Sequence, residues 1–115
     1  MKKILPDELD ININQPKAEL TLYVPDDLFW FNGHFPSQPL LPGVVQLNWV
    51  MHYSQCLLGM SSSIESIEVI KFQIPILPND RLLLQLNWHE EQHKLQFSYT
   101  VAHKVASSGK LKLCL

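Results

Sequence analysis

The sequence predicts an α+β domain, in which one curved antiparallel sheet closes around a single buried helix. Three observations lead there. Gly43–Met60 is a strongly apolar segment with no proline after Pro42, so it reads as one long helix. Most of the chain after it alternates apolar and polar residues, with turn-forming clusters between the runs. The 115 residues are 46% hydrophobic and only 17% charged, against about 25% charged in an ordinary soluble domain. One helix cannot cover a broad sheet unless the sheet curls around it, and the charge deficit asks for a further hidden surface, most simply a paired subunit. That arrangement is the hot-dog fold, here expected as a single domain over residues 1–115 and paired into a dimer.

The elements follow in order. Residues 1–18, punctuated by Pro6 and Pro16, predict an irregular lead-in or a short edge element around Asp10–Asn14. In Glu19–Val24, Leu20, Leu22 and Val24 alternate with Glu19, Thr21 and Tyr23, which predicts a half-buried strand ended by Pro25. Asp26 and Asp27 are expected to cap a short helical turn through Leu28–Phe31. Asn32–Pro42 carries prolines at 36, 39 and 42, each removing a backbone donor, so this stretch predicts a stiff loop. Pro42 is tolerated at a helix start. The helix after it is apolar on nearly all sides and is expected to be buried all round, Cys56 included. Its polar exceptions Asn48, His52 and Gln55 are spaced four and three apart and share one stripe. Ile64–Ile74, Arg81–Trp88, Lys94–Val101 and the alternating Leu111, Leu113 and Leu115 then predict an antiparallel meander, with turns at Glu90–Gln92 and Ser107–Gly109.

Several functional classes are disfavoured. Nine basic against eleven acidic residues give a net charge of −2, without the basic surplus of a nucleic-acid binder. No apolar run approaches the roughly 20 residues needed to cross a bilayer. Acidic residues follow the basic start at once, so no signal segment is read. Cys56 and Cys114 are expected as reduced thiols in a cytoplasmic protein. His89 and His93 straddle a predicted turn, where helical metal-ligand spacing does not apply.

The chemistry concentrates where the proline-rich loop meets the helix. The first N–H groups of a helix lack intrahelical partners, and together with the helix dipole they favour an oxygen gaining negative charge. Gly43 stands at that point, and glycine lets a substrate approach the backbone closely. His34, on the loop, is the side chain best suited to exchange a proton near neutral pH. A lone histidine in such a loop is more often a structural hydrogen bonder, and His52 reads equally well as a satisfied core histidine.

The run Phe31-x-Gly33-His34-Phe35-Pro36-x-x-Pro39-x-x-Pro42-Gly43-Val44-x-Gln46 resembles the signature of the bacterial 3-hydroxyacyl-acyl-carrier-protein dehydratases of the hot-dog superfamily. Lys71-Phe72 with Pro75, then Pro78-Asn79-Asp80, and Ser108-Gly109-Lys110 are similar to later parts of that family. The Pro-Gly-Val-Val-Gln wording is similar to its small aryl-polyene-type branch. The resemblance implies removal of water from a 3-hydroxyacyl thioester to give the trans-2-enoyl product. It implies no metal and no dissolved cofactor, the substrate arriving on the phosphopantetheine arm of acyl carrier protein. His34 matches the catalytic histidine, and Gly43 the glycine whose N–H holds the thioester carbonyl. Phe35 and Val44, in the same motif, fall among the substrate-binding positions.

The family carries Glu or Asp fourteen positions after that histidine, reaching into a partner's site; here the residue is Asn48. An amide cannot give a proton at neutral pH. Three alternatives stand: Asn48 only orients the hydroxyl while His34 moves both protons, His52 supplies the proton, or the chain is a non-catalytic subunit beside an active partner. A thioester hydrolase is the runner-up on the same fold, disfavoured because the polar stripe holds no carboxylate. Expected partners are acyl carrier protein and a second hot-dog subunit, identical or related, with no nucleic acid and no membrane insertion. Lys71, Lys104 and Lys110 are candidate contacts for the acidic carrier.

Overall fold

The structure, a computed structural model, describes residues 2–32, 39–60 and 62–114. Its elements run β1 (Asp7–Asn14), β2 (Lys17–Tyr23), a short 3₁₀ turn (Phe29–Phe31), α1 (Gly43–Leu58), β3 (Ile64–Phe72), β4 (Arg81–His89), β5 (Lys94–Val101) and β6 (Lys104–Leu113). The six strands form one antiparallel sheet in the order β1-β2-β4-β5-β6-β3. Period-two alternation puts Leu20 and Leu22, Leu82, Leu84 and Leu86, Leu95, Phe97 and Tyr99, and Leu111 and Leu113 on one face. That face wraps α1, whose Val45, Trp49, Val50 and Tyr53 complete the core. This is the hot-dog fold.

Several expectations change. The lead-in is a full strand: Asp7–Asn14 pairs along β2, with a bulge between Glu8 and Asp10. It is exposed along its whole length, although Leu9, Ile11 and Ile13 alternate with Asp10, Asn12 and Asn14. Leu28, not an aspartate, is the N-cap of the 3₁₀ turn, and no side chain caps it. Asp27 lies 3.7 Å from Lys3 instead. The strands after α1 are not a simple meander. β4, β5 and β6 follow one another, but β3 crosses to the far edge beside β6 and β2 takes the place next to β4.

The turn expected at Ser107–Gly109 lies inside β6. The chain reverses at Ala102 and His103, whose φ angles of 49° and 66° are both left-handed, the conformation that tight two-residue hairpins require. Gly109 serves packing. A Cβ there would stand 2.7 Å from the Val69 carbonyl oxygen and 2.8 Å from the Phe97 ring. Gly109→Ala is therefore expected to destabilise the fold by about 1–3 kcal/mol, the usual cost of forcing extra atoms into a packed site. Urea denaturation at unchanged m-value checks it; an unchanged midpoint would show that β3 gives way freely.

α1 ends at Gly59, which takes the left-handed conformation (φ 68°) suited to glycine. The helix is not buried all round. Val44, Asn48, Gln55 and Cys56 are exposed and His52 half-buried, so one stripe lies open. Cys56, expected in the core, sits on that stripe with its sulfur 3.9 Å from His52 Nε2. The open stripe belongs to the same chain as the exposed edge strand β3, where Ile67, Val69 and Phe72 are 46–52% accessible. None of the described helices is long and apolar enough to cross a membrane.

Candidate active site

The helix start is fixed from the loop side. Leu41, buried, donates its N–H to the Ile76 carbonyl at 2.8 Å, and Ile76 is buried too. Pro42 is the N-cap, and its carbonyl accepts from Val45 and Gln46 at 3.1 and 3.2 Å. The N–H groups of Gly43 and Val44 have no backbone partner among the described residues. No acidic side chain stands in the first turn to neutralise the positive end of the helix.

Beside this terminus is a cavity of about 310 Å³ lined by Leu40, Leu41, Gly43, Gln46, Phe72 and Ile74, among others. The Phe72 ring stands directly over Gly43, where a Cβ would meet its tip at 2.6 Å. Gly43 is thus required by close approach, not by its φ. Phe72 is 52% exposed, so the ring forms the outer wall of the cavity. The segment after β3 is held by the Ala106 carbonyl, which accepts from Gln73 and Ile74 at 2.8 and 3.0 Å. A β-bulge in the β5–β6 ladder places that carbonyl.

Of the site residues read from sequence, Gly43 lines the cavity. Val44 is 65% exposed and points away from the core. Asn48 and His52 do not line that cavity; they lie on the open stripe of α1, with the His52 ring edge-on to Tyr53 at 4.9 Å between centroids. His34 and Phe35 lie outside the described residues. Within one chain, then, the structure brings Gly43 to the cavity and leaves Asn48 and His52 facing outward.

Three further residues were not among the functional candidates, although Gln46 stands in the loop–helix motif. Gln46 is buried, accepts a 2.7 Å hydrogen bond from Ser107 and donates to the Leu41 carbonyl at 3.3 Å. The Tyr99 hydroxyl donates to the Gln46 backbone carbonyl at 2.7 Å. Gln46 is roughly 200° around the helix from Asn48, so it belongs to the core side and not to the polar stripe. Burial, with Tyr53 nearby, holds the Tyr99 phenol well above its ordinary ionisation range. Tyr53 is pushed up as well, chiefly by burial and then by the nearby Glu8 carboxylate, and its hydroxyl finds no well-formed hydrogen bond. Both phenols therefore stay neutral.

The candidate carrier contacts are spread out. Lys71 and Lys110 line a shallow groove of about 470 Å³ on the outer face of the sheet, together with Lys17. Lys104 is exposed at the start of β6. Among the described residues there is no group of three or more His, Cys, Asp or Glu side chains able to hold a metal ion.

A family model for the ApeI dehydratase matches residues 10–110. The chain belongs to the ApeI-like dehydratase family. A chain of the dehydratase heterocomplex ApeI:P from Xenorhabdus doucetiae superposes on it with a TM-score of 0.89 at 49% identity, covering 96% of this chain and 99% of that one. An uncharacterised protein from Erwinia carotovora subsp. atroseptica gives a TM-score of 0.85 at 50% identity, covering 96% of each chain. Among curated relatives, the 3-hydroxyacyl-acyl-carrier-protein dehydratase FabZ of a Wolbachia from Brugia malayi is 32% identical, over 73% of this chain and 67% of its own length. FabZ of Ehrlichia chaffeensis is 33% identical, over 59% and 52%. This ApeI-like chain thus spans about half to two thirds of the length of such relatives. PaaI of Escherichia coli, at 16% identity and a TM-score of 0.66, shares the fold alone.

Proposed function

We propose that this ApeI-like chain removes water from a 3-hydroxyacyl thioester carried on acyl carrier protein, working beside a second hot-dog subunit. The observation that carries the reading is the helix terminus: Gly43 and Val44 N–H groups on α1 with no backbone partner among the described residues, and Gly43 at the wall of a half-open cavity. A thioester carbonyl accepting the Gly43 N–H acidifies the adjacent C2–H, because the enolate-like charge is steadied by donors fixed in advance. His34 takes the C2 proton, the C2–C3 double bond forms, the C3–O bond breaks, and His34 returns its proton to the leaving oxygen, which departs as water. Asn48 and His52 face outward from their own chain and would meet the hydroxyl of a substrate held in the neighbouring subunit's site, as the neighbour's helix would meet the one held beside His34. No metal or dissolved cofactor takes part in this scheme. Lys71 and Lys110, in their outer groove, suit an acidic carrier.

The open stripe of α1 and the exposed edge β3 are the surfaces that the second subunit would cover. The ApeI:P complex, itself a heterocomplex, supports a related rather than an identical partner.

A second reading has one observation behind it. Position 48 carries an amide where an acid is expected, which favours a subunit that supports an active partner. A single assay separates these readings. Purified protein is given a 3-hydroxyacyl carrier-protein thioester, and enoyl absorbance and free thiol are followed. Enoyl product without thiol is the expected result. Thiol release would indicate a hydrolase, and activity that appears only with a related subunit and then survives His34→Ala would indicate the supporting role. His34→Ala is expected to lower turnover by about 10²–10⁴-fold, the usual worth of a positioned proton-transfer group. Undiminished turnover would remove His34 from the mechanism.

A further inference from the structure

The geometry points to Gln46 as a positioning residue that aims the Gly43 and Val44 N–H groups, an inference that rests on the dehydratase reading and goes beyond it. Gln46 is 4% exposed and lines the cavity, yet both ends of its amide are occupied from opposite directions. Nε2 donates to the Leu41 carbonyl, one residue before the N-cap. Oε1 accepts from Ser107 of β6, 61 positions away. The orientation is forced, because a carbonyl can only accept and so requires the nitrogen end toward Leu41. The Gln46 backbone carbonyl is gripped in turn by the Tyr99 hydroxyl of β5.

The residues on either side of Gly43 are therefore tied through one side chain to the middle of the sheet. Leu41 is held before it and the first helical turn after it, so the direction of the Gly43 N–H is set by β5 and β6. A methionine of similar length would fill the volume of Gln46 and hold neither partner. Buried polar groups left unpaired are costly, so the loop end at Leu41 would shift until its carbonyl found another donor, turning the N–H groups with it. Displacements of this size matter where reacting groups must be aligned within a fraction of an ångström.

The test does not depend on activity alone. The chain has four glycines, so glycine-selective ¹⁵N labelling yields a sparse amide spectrum in which Gly43→Ala identifies the Gly43 signal. Ser107→Ala removes only a remote hydroxyl. It is expected to move the Gly43 amide signal, leave Gly59 in place, and lower kcat about tenfold with KM little changed. Gln46→Met should do the same more strongly. Gln46→Glu gives a sharper readout. Burial raises the pKa of such a carboxyl; protonated, it donates to Leu41, and ionised, it faces that carbonyl as acceptor against acceptor. Its kcat should therefore be retained at low pH and fall through a new ionisation as pH rises. An unmoved Gly43 signal in Ser107→Ala, or a Gln46→Glu pH profile identical to that of the unaltered chain, overturns the proposal. If the unaltered protein dehydrates no 3-hydroxyacyl thioester, the functional reading fails, while the Gly43 displacement still decides the role of Gln46.

Discussion

Replacing Asn48 with aspartate is expected to raise dehydratase turnover by about tenfold or more, up to the 10²–10⁴ that a well-placed general acid contributes. The reasoning begins with what an amide lacks. Asn48 can orient a hydroxyl or a water, but it has no proton to give at neutral pH. Loss of hydroxide from C3 without a donor is the unfavourable half of the reaction, and the histidine of the site that Asn48 enters must then both take and return a proton. Asn48 is exposed on the open stripe of α1, so aspartate adds no burial cost in the isolated chain and the substitution nearly preserves shape. The measurement is initial rate of enoyl formation at several pH values, with the natural chain and Asn48→Asp assembled in the same way. A rate that falls, with His52→Gln abolishing what remains, would assign the donor role to His52. No activity in either form, with activity on adding a related subunit that survives His34→Ala in this chain, would assign this chain the supporting role.

The second large effect is on stability. Trp49→Ala is expected to cost about 3–5 kcal/mol, the usual penalty for truncating a buried aromatic residue to alanine. Trp49 is 1% exposed at the centre of the helix–sheet interface. Its indole N–H also donates to the Ile4 carbonyl at 3.0 Å, an oxygen that Trp30 approaches at 2.8 Å. The side chain therefore joins α1 to the segment before β1 and to the 3₁₀ turn. In a domain of this size each kcal/mol is worth about 4–8 °C in melting temperature, so a fall of roughly 12 °C at the least is expected. Trp49→Phe keeps most of the apolar area and loses only the hydrogen bond, worth about 1 kcal/mol. Calorimetry on the two variants separates packing from polar tethering; equal losses would mean that the Ile4 contact dominates.

The sequence made some of this legible, for physical reasons. Strands β2, β4 and β5 could be read because one face is dry and the other wet, which writes a period of two into Leu20–Leu22, Leu82–Leu86 and Leu95–Tyr99. The helix start could be read because proline and glycine each permit only a few backbone conformations. β1 was legible only as a short edge element around Asp10–Asn14, because Pro6, Pro16 and the asparagines obscured the alternation of Leu9, Ile11 and Ile13. Ser107–Gly109 imitated a turn because small residues are also what a crowded strand requires, here under Phe97 and the Val69 carbonyl. The true reversal at Ala102–His103 uses residues with little turn preference. The place of β3 beside β6 depends on a pairing between distant segments, which local periodicity does not record. At the site, the loop motif marked Gly43 and included Gln46, but no role for Gln46 could be read because its partners, Leu41, Ser107 and Tyr99, converge only in three dimensions.

The lateral margin formed by β3 has a consequence for how the protein must be made. Nine residues of backbone, Ile64–Phe72, present amide and carbonyl groups on one side with no neighbouring strand among the described residues. Glu65 and Glu68 bridge back to Lys112 and Lys94 at 3.6 and 3.0 Å, so part of the charge that could repel a stray strand is already neutralised. A bare strand of this kind templates addition of whatever chain arrives first. Newly folded copies with that margin uncovered would stick to one another, whatever strand comes to lie along it.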